Sequence, residues 1–308
     1  MKWRKLGVVW NTDGRHEWSK SHAMGPTPFR LDESTIRVYL TTLDGEGRGR
    51  ATYVDVSAQD PTRVLAVASQ PVLDVGEPGA FDDNGLMPLS IVRVDDAGGL
   101  YMYYSGFELC HRIRYRIFSG VAVSRDGGQT FTRLRRTPIL DRSDAEMFFR
   151  GGPYVLKEQD RFRMWYVAGS SWTELNGKAM PVYDMKYAES DDGIHWPSEG
   201  VTVLPITQDD EHGFGRPWLF RRAEASYDLY YSVRWRSLAA YRMGYASSHD
   251  GLSWHRQDDA FGLDISDAAF ENEAVMYAAV IDIDGKEYCF YNGNGFGRDG
   301  FAVAERLA

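Results

Sequence analysis

Acids, arginines and histidines gather at five places in this 308-residue chain, each just ahead of a short strand-like run. Ser21 and His22 precede TPFRL, Asp82 and Asp83 precede MPLSI, and Glu146 and Arg150 precede GPYVL. Glu211, His212 and Arg216 lead into Pro217 of RPWLF, and Glu271, Asn272 and Glu273 lead into MYAAV. Carboxylates thus come from four of the five lead-ins, with arginines and histidines beside them. Brought together, such groups suit transfer of a glycosyl unit to water or phosphate. One carboxyl protonates the leaving oxygen, its pKa raised by burial or neighbouring negative charge. A second activates water or attacks directly, according to the separation between the two. Arg150 and Arg216 could anchor a carboxylate or phosphate through paired donors. Phe81, Phe148, Phe149, Trp172, Phe214 and Trp218 lie near the same segments and could stack on sugar faces, although each alone is more often core packing.

The elements that must position these groups are read from a repeat. Pro28, Pro88, Pro153, Pro217 and, in the last copy, Tyr277 stand 60, 65, 64 and 60 residues apart. A period of this size carried by strand chemistry is the signature of a propeller or array. The expected fold is all-β, a five-bladed β-propeller in one domain spanning 1–308, with blades beginning near 21–28, 81–88, 146–153, 211–217 and 270–277. In that fold the first strand of each blade lines a central channel, and the lead-in segments meet at one mouth. Aromatic strands recur as MYYSG, MWYVAG, LYYSV and CFYNG, and alternating rings there suit packing between sheets. Three copies add a turn, SRDGGQTF, SDDGIHW and SSHDGLSW. An Asp there can accept from turn N–H groups while Gly supplies positive φ, so Asp126, Asp192 and Asp250 are expected to be structural. No run keeps a helical period. Closure of the ring needs a strand from the other terminus, and either LGVVW at the start or FAVAERL at the end could supply it.

Composition excludes some partners. A net charge of −9 argues against a nucleic-acid backbone and an anionic membrane surface. The cluster Arg112, Arg114 and Arg116 reads as a solvated edge. The two cysteines, Cys110 and Cys289, match neither a disulfide framework nor a metal finger and are expected as buried thiols. MKWRKLGVVW lacks the apolar run of a secretory signal, and no stretch approaches spanning length, so a cytoplasmic location is expected. FYNGNGFG follows a strand without opening a helix and is no nucleotide fingerprint. No cofactor is expected. The oxygen-rich lead-ins would suit a structural Ca²⁺ in the channel, but no ligand spacing identifies one.

Together the five-fold repeat, the SxDGxxW turns, the MWY strand and the FDDNG, FRGGP and FGRP segments resemble the five-bladed β-propeller glycosidase superfamily. That group includes arabinanases and β-xylosidases, invertases and levansucrases, and mannoside phosphorylases. The resemblance covers essentially the whole chain and looks closest to uncharacterised glycosidase-like proteins of bacterial polysaccharide biosynthesis. It implies a carbohydrate or nucleotide-sugar substrate. It also implies a general base Asp at the first blade, an orienting Asp at the second, and an acid Glu at the third. The second matches Asp83 or Asp82 and the third matches Glu146. The first fails: His22 stands near that place, and the nearest acid upstream is Asp13 in WNTDG. FRGGP likewise lacks the acid of the invertase RDP motif. Either Glu271 or Glu273 replaces the base, or His22 does, or the site binds without hydrolysing. Glu211, His212, Arg216, Trp218, Asn272 and Asp82 would join His22 and Arg150 in binding substrate. A non-catalytic sugar-binding propeller is the alternative. A sialidase-like enzyme is a weaker one, since SRDGGQTF fits an Asp-box but no third arginine completes a triad.

Overall fold

The computed structural model describes residues 1–95, 98–223, 226–238 and 240–307. It is all-β, and the chain folds into two compact units. The first unit holds 1–72, 218–232 and 240–308, and the second holds 73–217 and 233–239.

In the first unit, β1 (Trp3–Trp10) precedes an antiparallel meander of β2 (Ser21–Arg30), β3 (Thr35–Leu43), β4 (Gly49–Ser57) and β5 (Val64–Val67). The second unit contains β6 (Leu86–Arg93), β7 (Leu100–Leu109), β8 (Tyr115–Ser124) and β9 (Thr132–Arg133), again a meander. It is followed by β10 (Phe149–Glu158), β11 (Arg161–Leu175), β12 (Lys178–Ser190) and β13 (Val201–Leu204). Strands β14 (Glu211–Ala223) and β15 (Ser226–Trp235) each have residues in both units. The first unit is completed by β16 (Tyr241–Ser248), β17 (His255–Arg256), β18 (Met276–Ile283), β19 (Lys286–Asn292) and β20 (Phe301–Arg306). Here β1 pairs antiparallel with β20, giving the order β1-β20-β19-β18. The N-terminal strand therefore completes the last sheet, a choice the composition of the two ends left open.

Each unit buries an apolar seam between two of its antiparallel runs of strands. In the first, Ile36, Val38, Leu40, Val54 and Val56 meet Ile283, Phe290, Phe301 and Val303. In the second, Tyr103 and Val121 meet Val155, Phe162, Met164 and Tyr166. Alternation along each strand supplies these inward faces. The first unit also buries a polar pair that its sequence does not announce. Arg37 and Asp55 are cross-strand partners, with both guanidinium contacts at 2.8 Å, and the guanidinium lies 3.7 Å from the Tyr53 ring centre.

The Asp turns behave as their sequence suggests. Asp126 accepts from the N–H groups of Gln129 and Thr130, Asp192 from those of Ile194 and His195, and Asp250 from those of Leu252 and Ser253. The Ser253 and Leu252 N–H groups hold the Asp250 carboxyl down to about 2. Gly127, Gly193 and Gly251 take φ of 73°, 73° and 75°, the left-handed region that glycine enters without a Cβ clash. Of the two thiols, Cys289 is buried as expected, while Cys110 is only partly so, because it sits in the turn after β7.

Candidate active site

Three of the lead-in segments share a bulge, while in β6 the register shifts between Pro88 and Ser90. In β2, Gly25 and Pro26 together face Leu40; in β10, Gly152 and Pro153 face Tyr166; in β18, Tyr277 and Ala278 face Tyr291. Two residues opposing one is a β-bulge, which bends a strand and re-aims the side chains ahead of it. The leading residue of each is left-handed, with φ of 62° at Gly25, 68° at Gly152 and 60° at Tyr277. Arg216 repeats this geometry ahead of Pro217, with φ of 44°. The bulge corrects the repeat as read from sequence by a residue or two. Pro28 is an ordinary ladder partner of Val38, and Pro26 sits in the bulge. Likewise Ala278, not Tyr277, occupies the proline's place.

A polar residue that recurs in the aromatic strands holds the bulges. Gly152 N–H donates to Ser105 Oγ at 2.8 Å, Tyr277 N–H to Ser232 Oγ at 2.9 Å, and Gly25 N–H to Asn292 Oδ1 at 2.8 Å. These acceptors are the polar residue after the paired rings in MYYS, LYYS and FYN. They satisfy N–H groups that the bulge removes from the ladder.

In the second unit Glu146 is 1 % exposed and fully engaged. Tyr166 donates to it at 2.8 Å, Gly200 N–H at 2.9 Å, and Arg150 Nε lies 2.6 Å from Oε2. Arg150 also donates to the carbonyls of Asp141 and Pro197. Asp82, fully buried, pairs with Arg133 Nε at 2.8 Å beside Tyr104. Burial first, then the Asp82 charge, pushes the Tyr104 phenol well up. Its neighbour Asp83 is half-buried and accepts from Gly79 N–H at 2.8 Å and Asn84 at 2.7 Å. Glu211 and Arg216 are buried. His212 is also buried, with Nδ1 3.0 Å from the Pro181 carbonyl, and burial lowers its pKa. Phe81, Phe149 and Phe214 are core residues, whereas Phe148 and Trp172 are half-buried, ring centres 5.6 Å apart.

The first unit repeats the buried arrangement with different partners. Glu271 accepts from Tyr291 Oη at 2.8 Å and Ser266 Oγ at 2.6 Å, and pairs with Lys5 at 2.8 Å. Tyr166 and Tyr291 both face a bulge and both clamp the acid ahead of it. Glu273, two residues on, is exposed and lies in the field of Arg298. Asn294 fixes this segment: its Oδ1 accepts from Glu273 N–H at 2.9 Å and Ala274 N–H at 3.0 Å, while Nδ2 donates to Asn272 at 2.7 Å. His22 is half-buried in the left-handed region at φ of 67°, with Nδ1 2.8 Å from Ser21 Oγ. Burial and then the Arg298 charge push its imidazole below the ordinary histidine value. Phe296, left-handed and exposed, packs against Tyr241 and Tyr277 nearby. Trp218 is buried and donates to the Val280 carbonyl at 2.8 Å. In the first unit His22 and Glu273 thus both lie in the field of Arg298, which Asp299 holds at 2.9 Å, while Glu271 and Trp218 are buried.

Among the described residues no group of three or more His, Cys, Asp or Glu is arranged to hold a metal ion. No helix is long and apolar enough to cross a membrane.

Solved structures share this fold. A glycoside hydrolase matches 99 % of this chain and 92 % of its own, with a TM-score of 0.76 and 19 % identity. A structure from the GH130 family of mannoside phosphorylases, which contains glycoside hydrolases that target β-1,2 mannosidic linkages in Candida mannan, matches 98 % and 93 %, with a TM-score of 0.71 and 14 % identity. The expected resemblance to the propeller glycosidase superfamily is borne out at the level of the fold. No protein-family model matches the chain. In sequence, "Uncharacterized protein Rv1502" of Mycobacterium tuberculosis is 31 % identical over 304 residues, 99 % of each chain. The chain belongs to the family of that mycobacterial protein.

Proposed function

We propose that this chain is a single five-bladed β-propeller domain and a carbohydrate-active enzyme, a glycoside hydrolase or phosphorylase acting on a bacterial glycan or activated sugar. The blade count is supported by antiparallel runs at β2–β5, β6–β9 and β10–β13, by the run β14–β17 and by the sheet that β1 completes, with β8 meeting β10 and β12 meeting β14 in parallel contacts of only two and one residue pairs. The class is supported by the near-full-length likeness in fold to glycoside hydrolases.

One observation carries the choice of residues: tyrosine and a cation bury some lead-in carboxylates and leave others at the surface. Glu146 and Glu271 receive only donors and hold strands in place. Glu273 and His22, both in the field of Arg298, supply the two acid–base groups in the first unit. A depressed imidazole pKa keeps His22 neutral and able to take a proton, which fits the missing aspartate at the first blade. In the second unit Asp83 is a half-buried lead-in carboxylate, unlike the fully buried Asp82 beside it.

The test is NMR of the protein with oligosaccharides and nucleotide sugars, with and without phosphate, beside Glu273→Gln and His22→Gln. A new anomeric signal in wild type that both variants lose is the expected result. A product unchanged in both variants removes these assignments, and loss in Glu146→Gln at unchanged fold would return the acid's role to Glu146. The absence of a carboxylate at His22 also favours a second reading, a sugar-binding propeller without turnover. Ligand line broadening with no product, equal in all variants, would establish it.

A further inference from the structure

The β11–β12 hairpin outgrows its counterparts: β11 has 15 residues and β12 has 13, against 10 each in β7 and β8, and 9 each in β3 and β4. The extra length lies beyond a register shift between Ala168 and Ser171. It turns at Asn176 and Gly177, both left-handed at φ of 50° and 71°, the geometry of a two-residue hairpin turn. The extension is held from its own unit. Arg236 donates to Thr173 Oγ1 at 2.6 Å, the Pro181 carbonyl meets His212, and Met147 N–H donates to Ser170 Oγ at 2.9 Å.

On this arm lies a cleft of about 320 Å³ lined by Trp172, Thr173, Glu174, Gly177 and Ala179. That is near the lower end of the roughly 300–1,000 Å³ range of small-molecule sites. The period of two places Trp172 and Glu174 on one face, and the register sets Ala179 opposite Glu174. A small residue there leaves the space open. Trp172 is braced by Phe148 and Phe149 at 5.6 and 5.7 Å, so its ring is fixed before anything binds. Its indole N–H has no acceptor among the described residues, so packing alone sets its place.

We propose that this arm is a glycan subsite that takes a neutral sugar residue, its ring face stacked on Trp172 and a hydroxyl donated to Glu174. The sugar is uncharged because, among the described residues that line the cleft, Glu174 carries the one charged side chain, which disfavours uronate or phosphate, and the neighbouring Arg236 is already held by Thr173 Oγ1 and the Asp209 carbonyl. The proposal rests on the carbohydrate reading and adds a subsite apart from the groups given acid–base roles.

The test follows tryptophan indole N–H resonances of the full chain during titration with neutral oligosaccharides and, separately, uronic-acid oligosaccharides. Trp172→Phe assigns the Trp172 signal. The expected result is a saturable shift of that signal by a neutral oligosaccharide only. Ala179→Leu, which fills the cleft, should weaken binding at least tenfold. Glu174→Gln, an exposed change that leaves the fold alone, should weaken it several-fold. A Trp172 signal that stays still while others move overturns the proposal, as does wild-type affinity in both variants or a shift by the acidic sugars alone. Movement of Trp172 without product keeps the subsite and sinks the turnover reading. Product without movement does the reverse, and a panel that moves nothing overturns both.

Discussion

Glu271 and Glu273 stand two residues apart in one segment of the first unit, and the fold treats them oppositely. Glu271 is 4 % exposed and gripped by Tyr291, Ser266 and Lys5; Glu273 lies at the surface in the field of Arg298. Residue type is therefore a poor guide to role. What separates them is the tyrosine opposite the following bulge, which reaches back to one acid and leaves the other. The same division sets Asp82, paired with Arg133, against Asp83 in the second unit.

The sharpest way to break this comparison is to remove a gripped acid. Glu146→Ala strands Arg150 in a buried site and should cost about 3–5 kcal/mol of stability, read by chemical denaturation. A loss below about 1 kcal/mol would mean that the clamp is not structural. His22→Gln should leave stability near wild type and lower kcat/KM roughly 10²–10⁴-fold. Because burial and Arg298 depress the imidazole pKa, wild-type activity should fall only below about 6.5, the ordinary histidine value. This acid limb should vanish in the variant, and a limb at the same pH in both would point elsewhere. Glu271→Ala should cost about 1–3 kcal/mol, less than at Glu146, since Lys5 can turn to solvent while Tyr291 loses its acceptor. Smallest is Asp250→Asn, expected at about 1 kcal/mol with turnover unchanged, because its acceptor role is confined to one turn.

Much of the β architecture was legible because it rests on local chemistry. Prolines, paired rings and Asp-Gly turns each fix a few residues, and their repetition marked the strands. The closing strand was not legible, since LGVVW and FAVAERL have equal strand character and only pairing decides between them. The exact bulge was missed by two residues at Pro28 because Pro26 satisfies the same composition. Ser105, Ser232 and Asn292 carried a readable signal, a polar residue after two rings, but their partners lie 45 or more positions away. The Asn176-Gly177 turn was readable too and would have marked the long arm. Which acid of a neighbouring pair turns inward could not be read, because that depends on a side chain from another strand, Tyr291 for Glu271 and Arg133 for Asp82.

The most direct test compares Glu271→Gln and Glu273→Gln side by side, each by melting temperature and by turnover of the substrate found in the NMR screen. The expected result is a crossed pattern: Glu273→Gln melts like wild type but is inactive, and Glu271→Gln melts lower but still turns over. The reverse pattern, or loss of turnover in Glu271→Gln alone at unchanged melting temperature, would contradict the division on which this account rests.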